Sequence, residues 1–374
     1  MTETGAAGNP RRAEGPHEQD PLRMPDPLRM PGSRGASPAA SAPPGWRIFH
    51  ATGDAPSGTP APLPAPPPWR EFGGEPLQPP PGDDPRATER RLGTAGARPQ
   101  LREEEVDLVN AALLLRRPIL VSGPPGVGKS TLAYLVAREL GLGRVLPWSV
   151  VSRTTLKDGL YAYDSIGRAQ AIAAWRAGEE REEAPEIGDY VTLGPLGTAL
   201  LAYERPRVLL VDELDKSDID LPNDLLHVME NGCYDIPELV RSPQRETVVV
   251  TDDPGGRAVV HGGRVECREF PVVIITSNGE REFPAAFRRR CLPLELRPPS
   301  REQLVSIVVS HLRRRPEGIE GLLDHFEKSV AAGGTQTVDQ LLNAVQLIAS
   351  GGFHDDEAGR KLIEILLRDL AKGR

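Results

Sequence analysis

The chain has 374 residues, and its 38 glycines and 39 prolines make up about a fifth of it, where roughly 12% is usual. A formal net charge of −8 weighs against a general nucleic-acid coat protein, which carries a basic surface. No run of 18 apolar residues occurs, and the start Met1-Thr-Glu-Thr-Gly lacks the basic and apolar regions of a secretory leader, so the reading is a cytoplasmic chain with no membrane span.

Residues 1–99 hold 22 of the prolines and 13 of the glycines. Such a composition buries too little apolar surface to offset the entropy of ordering it, which assigns 1–99 to a disordered tail outside the fold. The tail carries a tandem Asp-Pro-Leu-Arg-Met-Pro at Asp20–Pro25 and Asp26–Pro31, and Pro-rich runs at Pro60–Pro68 and Pro79–Pro81. These runs favour extended polyproline II. Two islands, Trp46-Arg-Ile-Phe49 and Trp69-Arg-Glu-Phe72, repeat the pattern Trp-Arg-x-Phe. They are either chance in a spacer or a short motif that folds onto this chain's own core or a partner.

From Leu101 the pattern changes. Glu103–Arg116 places Val106, Leu108, Val109, Ala112, Leu113 and Leu115 on one helical face. After Pro118, Ile119-Leu-Val-Ser122 reads as a buried strand. It runs into Gly123, Pro124, Pro125, Gly126, Val127, Gly128, Lys129, Ser130 and Thr131, and then into a helix closed by Gly141. This is G-x-x-x-x-G-K-[ST] between a strand and a helix, the context in which the motif cradles phosphates. Glycines let backbone N–H groups turn inward, and the helix N-terminus adds positive potential. Lys129 reaches the β- and γ-phosphates, and the Ser130 hydroxyl is a Mg²⁺ ligand.

Such a cradle requires an acid on a neighbouring strand. Val208-Leu-Leu-Val211 followed by Asp212-Glu213 supplies it, with Asp212 for the metal and Glu213 as the base that polarises a water. Phe270–Thr276 is a third buried strand, ending in Ser277-Asn278-Gly279. Asn278 is either a turn residue or the group that orients the water. Phe283-Pro-Ala-Ala-Phe-Arg-Arg-Arg-Cys291 ends a short helix in Arg288, Arg289 and Arg290. They form a solvated basic cluster or present an arginine to a neighbouring subunit's γ-phosphate.

The three cysteines, Cys233, Cys267 and Cys291, form no C-x-x-C pair and read as reduced, packed thiols. Thr247–Thr251 and Ala258–His261, joined by a Pro-Gly-Gly turn, read as paired strands. Beyond Arg301 the pattern predicts three or four amphipathic helices, with His311, His325 and His354 too scattered to hold a metal.

The four elements Gly123–Thr131, Val208–Glu213, Ile274–Asn278 and Phe287–Cys291, in this order, resemble an AAA+ ATPase. The stretch Leu193-Gly-Pro-Leu-Gly-Thr-Ala-Leu-Leu201 and the block from Asp212 to Leu226 are further similar to the MoxR family. That resemblance implies an α/β core over 100–297, with a parallel sheet flanked by helices, and a helical lid over 298–374. It implies ATP sites shared between subunits of a ring, usually a hexamer, with Asn278 as sensor 1 and an arginine finger for which Arg289 and Arg290 are favoured. Leu160–Gly194, with Tyr161 and Tyr163, resembles the helix-2 insert of this clade, where either tyrosine grips a client or packs in the core. Pro237–Glu269 would be the pre-sensor hairpin. One departure stands out: Thr335-Gln-Thr-Val-Asp-Gln-Leu-Leu342, where a sensor 2 arginine is common, contains no arginine. Members of the MoxR family often act beside proteins with a von Willebrand A domain, so the resemblance implies a client or partner protein, with one of that kind as a candidate.

Two readings follow. One is Mg²⁺-dependent ATP hydrolysis that remodels a client protein. The other is a nucleotide-gated switch or scaffold with little turnover, favoured by the missing arginine and the long tail. A nucleic-acid motor fits less well with the acidic balance.

Overall fold

The computed structural model describes residues 45–93, 101–178, 184–312, 319–331, 336–350, 361 and 365–366. The expectations for residues 1–44, including the tandem repeat, for 94–99 and for the last predicted helix around 362–367 lie largely or wholly outside them.

Five short apolar strands build the central sheet: β1 Ile119–Ser122, β2 Leu146–Ser149, β3 Val208–Asp212, β4 Val272–Ser277 and β5 Leu292–Glu295. They lie in the order β5-β1-β4-β3-β2, and every pairing is parallel. Both faces are covered, as an all-parallel sheet requires. Val208, Leu210, Val272 and Ile274 pack on one side with helices Glu103–Leu115 and Thr131–Leu140. Leu209, Val211, Val273 and Ile275 alternate to the other side and join a separate cluster with Leu146, Leu225 and Phe287. Burying each such side chain contributes about 1.5–3 kcal/mol. The fold is therefore α/β with a central parallel sheet flanked by helices. β4 starts at Val272, two residues after the predicted Phe270; Pro271 between them has no N–H to give a ladder, and buried Phe270 contacts Phe72 and Arg70.

Among the described residues, a second sheet has six strands. Glu246–Val250 and Arg257–His261 pair antiparallel, as their alternation and the intervening turn predict. Val191–Leu193 and Tyr161–Tyr163 extend this sheet from the Leu160–Gly194 insert. Arg207, fully buried just before β3, fastens the hairpin turn to the central sheet. Its guanidinium donates to both Asp253 oxygens at 2.7 and 2.8 Å. Helices Arg301–Leu312, Glu320–Ala331 and Val338–Ala349 share a third core around Leu304, Leu323, Phe326 and Leu341.

Residues 45–93, within the stretch expected to be a tail, lie against the core. This segment runs along the core as a strap with almost no regular structure of its own. Phe49 is fully buried. The Asn110 carboxamide accepts from the N–H groups of Ile48 and Phe49 at 2.7 and 2.9 Å and donates to Phe49 O at 2.7 Å. Glu139 accepts from His50 N and Thr52 N, and Arg116 donates to Pro64 O. Further along, Phe72 packs on Phe270 with ring centroids 5.9 Å apart, and Arg70 stacks on the same ring. Gln78 N donates to Ala202 O, and Gly82 O accepts from Arg144 N. The physical reason is that core side chains take up the strap's backbone groups, so it needs neither helix nor sheet to be satisfied. Both Trp-Arg-x-Phe islands lie on this chain's own core; Trp69 itself is 75% exposed.

Candidate functional site

The carboxyl ends of β1, β3 and β4 meet, and the residues following them face one another. After Ser122 the chain turns through Gly123–Ser130 into helix Thr131–Leu140. Gly123, Gly126 and Gly128 have φ of 143°, 74° and 94°, a region costly for residues with a Cβ. Two of them also allow close approach. A Cβ at Gly123 would stand 2.5 Å from Leu296 O, and one at Gly126 would run into Thr337, the cap of helix Val338–Ala349. Among the described residues, the backbone N–H groups of Gly126, Gly128, Lys129 and Ser130 donate to no protein acceptor. Open donors at a helix start, inside a Gly-rich turn, suit an anion.

Lys129 is buried, and its ammonium donates to Gly123 O at 2.7 Å and Pro124 O at 3.0 Å. Burial lowers its pKa from the ordinary lysine value, against the opposing pull of Asp215, Asp212 and Glu213. Ser130 Oγ donates to Asp212 Oδ1 at 2.7 Å. Thr276 Oγ1 donates to the same oxygen at 2.6 Å and accepts from Glu213 N at 2.8 Å. One hydroxyl of β4 thus sets both acids at the end of β3. Glu213 has φ of 60°, a left-handed conformation that costs a residue with a Cβ about 1–2 kcal/mol. Its side chain is held at both oxygens, by Lys216 Nζ at 2.5 Å and Asn278 Nδ2 at 3.3 Å. Asp215, 2% exposed, accepts from the N–H groups of Asn278 and Glu280 and so fastens the loop after β4.

A cavity of about 840 Å³ opens over these groups. Residues 125–131, Asp212, Glu213, Thr276 and Asn278 line it, and Val338, Asp339 and Leu342 form a further wall. The stretch without an arginine therefore borders the cavity, and its charged residue there is Asp339. Ser130 and Asp212 are oxygen donors of the kind a hard divalent cation takes, and the open N–H set beside Lys129 fits the phosphates that accompany one. Gly123 and Pro124 complete the turn, but they do not line the cavity.

The arginines stand apart. Phe287 anchors helix Ala285–Arg290 in the core, and none of Arg288, Arg289 and Arg290 lines this cavity. Arg290 pairs with Glu230, whereas Arg289 forms no ion pair among the described residues and its carbonyl accepts from Arg117. Tyr161 is buried and donates to Glu238 at 2.8 Å, so it packs as a core residue rather than facing solvent. Cys267 and Cys291 are buried free thiols, and Cys233 is half-buried. Burial pushes the Cys291 thiol up to about 12.

Sequence reasoning missed Thr276, Asp215 and Lys216. The one available signal for Thr276 was a hydroxyl interrupting an apolar run at a strand's carboxyl end. Asp215 and Lys216 sit in a block dense in acids, where nothing local tells which carboxylate turns inward.

Among the described residues no helix is long and apolar enough to cross a membrane. No curated protein matches the chain. Residues 119–297, which contain all five strands of the central sheet together with Asp212, Glu213 and Asp215, match the family model described as ATPase family associated with various cellular activities (AAA), and that match supports an AAA+ ATPase over this stretch.

Proposed function

We propose that the cavity binds ATP with Mg²⁺ and that the chain hydrolyses ATP to ADP and phosphate, using the cycle to remodel or activate a partner protein. One observation carries the reading. Lys129, Ser130, Asp212 and Glu213 come from separate segments yet line one cavity, with Ser130 and Asp212 in contact at 2.7 Å. Gly123–Thr131 would wrap the phosphates, and Lys129 would exchange its contacts with the Gly123 and Pro124 carbonyls for the β- and γ-phosphate oxygens. Ser130 and Asp212 would hold the metal, which when bound neutralises charge between those phosphates. Glu213 would take the proton of the attacking water, and Asn278, which donates to Glu213, would orient that water.

Arg289 and Arg290 would serve a neighbouring subunit's site in a homo-oligomeric ring, which is in keeping with their distance from this chain's own cavity. Arg289 is the first candidate, because Arg290 is already paired with Glu230. We assign the chain to the MoxR branch on the Leu193–Leu201 and Asp212–Leu226 segments, with a cytoplasmic site of action and a von Willebrand A-domain client as the partner to test first. We place the core at 100–297 and the lid at 298–374.

Steady-state ATPase assays with and without Mg²⁺ test the reading. Lys129→Ala is expected to lose nucleotide binding, and Glu213→Gln to bind ATP without turning it over. An Arg289→Ala, Arg290→Ala double variant is expected to bind normally and hydrolyse slowly. Wild-type turnover by the Glu213→Gln chain would remove the assignment of the base. A second reading, a nucleotide-gated switch with little turnover, is favoured by helix Val338–Ala349, which brings Asp339 and no arginine to the cavity. One turnover per assembly event supports the switch; continuous, client-stimulated turnover supports the motor.

A further inference from the structure

The strap ends at the nucleotide cavity. Its one α-helix, Pro85–Leu92, starts at Asp84, whose carboxylate accepts from Ala87 N at 2.9 Å, and stops at Gly93 with φ of 73°. Ala87 and Leu92 pack on the same core cluster as helix Thr131–Leu140. A Cβ on Gly93 would stand 2.7 Å from Ser310 Oγ in the first lid helix. The short helix is thus wedged between the helix that follows the phosphate cradle and the lid. In that position Arg90 and Arg91 line the same cavity as Lys129, Ser130 and Asp212.

Their place along the cavity is readable. The Arg91 guanidinium stands 5.8 Å over the ring of Tyr134. Tyr134 lies four residues beyond Ser130, about 6 Å further along the helix axis. With phosphates at the helix N-terminus, that is where a nucleotide's ribose and base would lie, and Leu92, Leu101 and Leu135 give the wall there an apolar character. Arg102, the other strap-side arginine on the cavity, is paired with Glu105. Arg90 and Arg91 form no ion pair among the described residues.

We propose that Arg90 and Arg91 are nucleotide-binding residues that close over the base and ribose of a purine nucleoside di- or triphosphate, so that the bound nucleotide fastens the strap to core and lid together. A planar guanidinium stacks on an aromatic face and donates to hydroxyls from one fixed plane. The proposal rests on the phosphate-cradle reading above, and it gives the N-terminal segment a place on the nucleotide beside the lid residues that line the cavity, Ile307, His311 and Leu342 among them.

Calorimetric titration of the full chain with ATP and with ADP tests it, alongside an Arg90→Ala, Arg91→Ala double variant and Lys129→Ala. Both arginines are exposed, so their truncation leaves the core intact, which a melting curve checks. The double variant is expected to weaken ATP and ADP at least fivefold and by similar factors. In the unaltered chain, amide hydrogen exchange at residues 85–93 is expected to slow several-fold when ATP is added. Unchanged affinity in the double variant, or a loss confined to ATP, would overturn the proposal. A wild-type chain that takes up no nucleotide, or a Lys129→Ala chain that binds normally, would instead count against the cradle reading itself.

Discussion

The turn at Gly123–Ser130 and the strap at 45–93 are alike in composition: both are rich in Gly and Pro and poor in regular structure. They differ in where their backbone hydrogen bonds go. In the turn, several N–H groups are left open towards a cavity, and the chain around them is pinned by three glycines at positive φ. In the strap, side chains of the core, Asn110 and Glu139 above all, take up the backbone groups. A coil held by its surroundings and a free coil can thus have the same composition. What separates them is the set of partners, which lies elsewhere in the chain.

Four measurements would break or sharpen that contrast. At the site, Glu213→Gln is expected to cut ATP turnover about 10²–10⁴-fold, the range for a general base, with ATP affinity kept; a rate assay beside a binding titration reads both. On the strap, Phe49→Ala is expected to cost about 3–5 kcal/mol, as for other fully buried aromatics, and chemical denaturation measures it. No loss of stability there would return the segment to a spacer. Asn110→Ala removes the acceptor for two backbone N–H groups, and an unmet buried donor costs about 1–3 kcal/mol; Trp69→Ala, at a side chain 75% exposed, is expected to stay within about 0.5 kcal/mol. If the two variants melted alike, burial would not be what orders the strap.

The smallest effect concerns pH. Burial lowers the Lys129 pKa, so the free protein's ammonium loses its charge at a lower pH than an ordinary lysine does. Nucleotide affinity should therefore be full at neutral pH and fall as pH rises, earlier than the usual lysine range predicts. Titrations of ATP across the alkaline range check the sign, and an affinity that rose with pH would contradict it.

The candidate site was largely legible because the phosphate chemistry proposed for it restricts residue type and spacing together. Lys129 and Ser130 follow Gly128 at the one offset that lets a turn cradle phosphates, and Asp212 and Glu213 close an apolar run long enough for one buried strand. Thr276 was not legible as the group that joins them, since its partners lie 63 and 64 residues away. Nor was the Arg207–Asp253 contact, 46 residues apart. β2 and β5 are as short as β1, but each is interrupted by a proline, Pro147 and Pro293, which argues against a strand when read from sequence.

From sequence alone came the order of the Gly-rich turn, the acidic strand and the strand that ends before Asn278, and with it the α/β class, because local spacing and apolar runs carry that information. Tertiary structure decided that β4 stands between β1 and β3, so that Thr276 bridges Asp212 and Glu213. It also decided that a proline-rich strap wraps the core and brings Arg90 and Arg91 to the cavity. Those outcomes depend on side chains finding partners far along the chain, and pairing at that range leaves no periodic trace in the residues themselves.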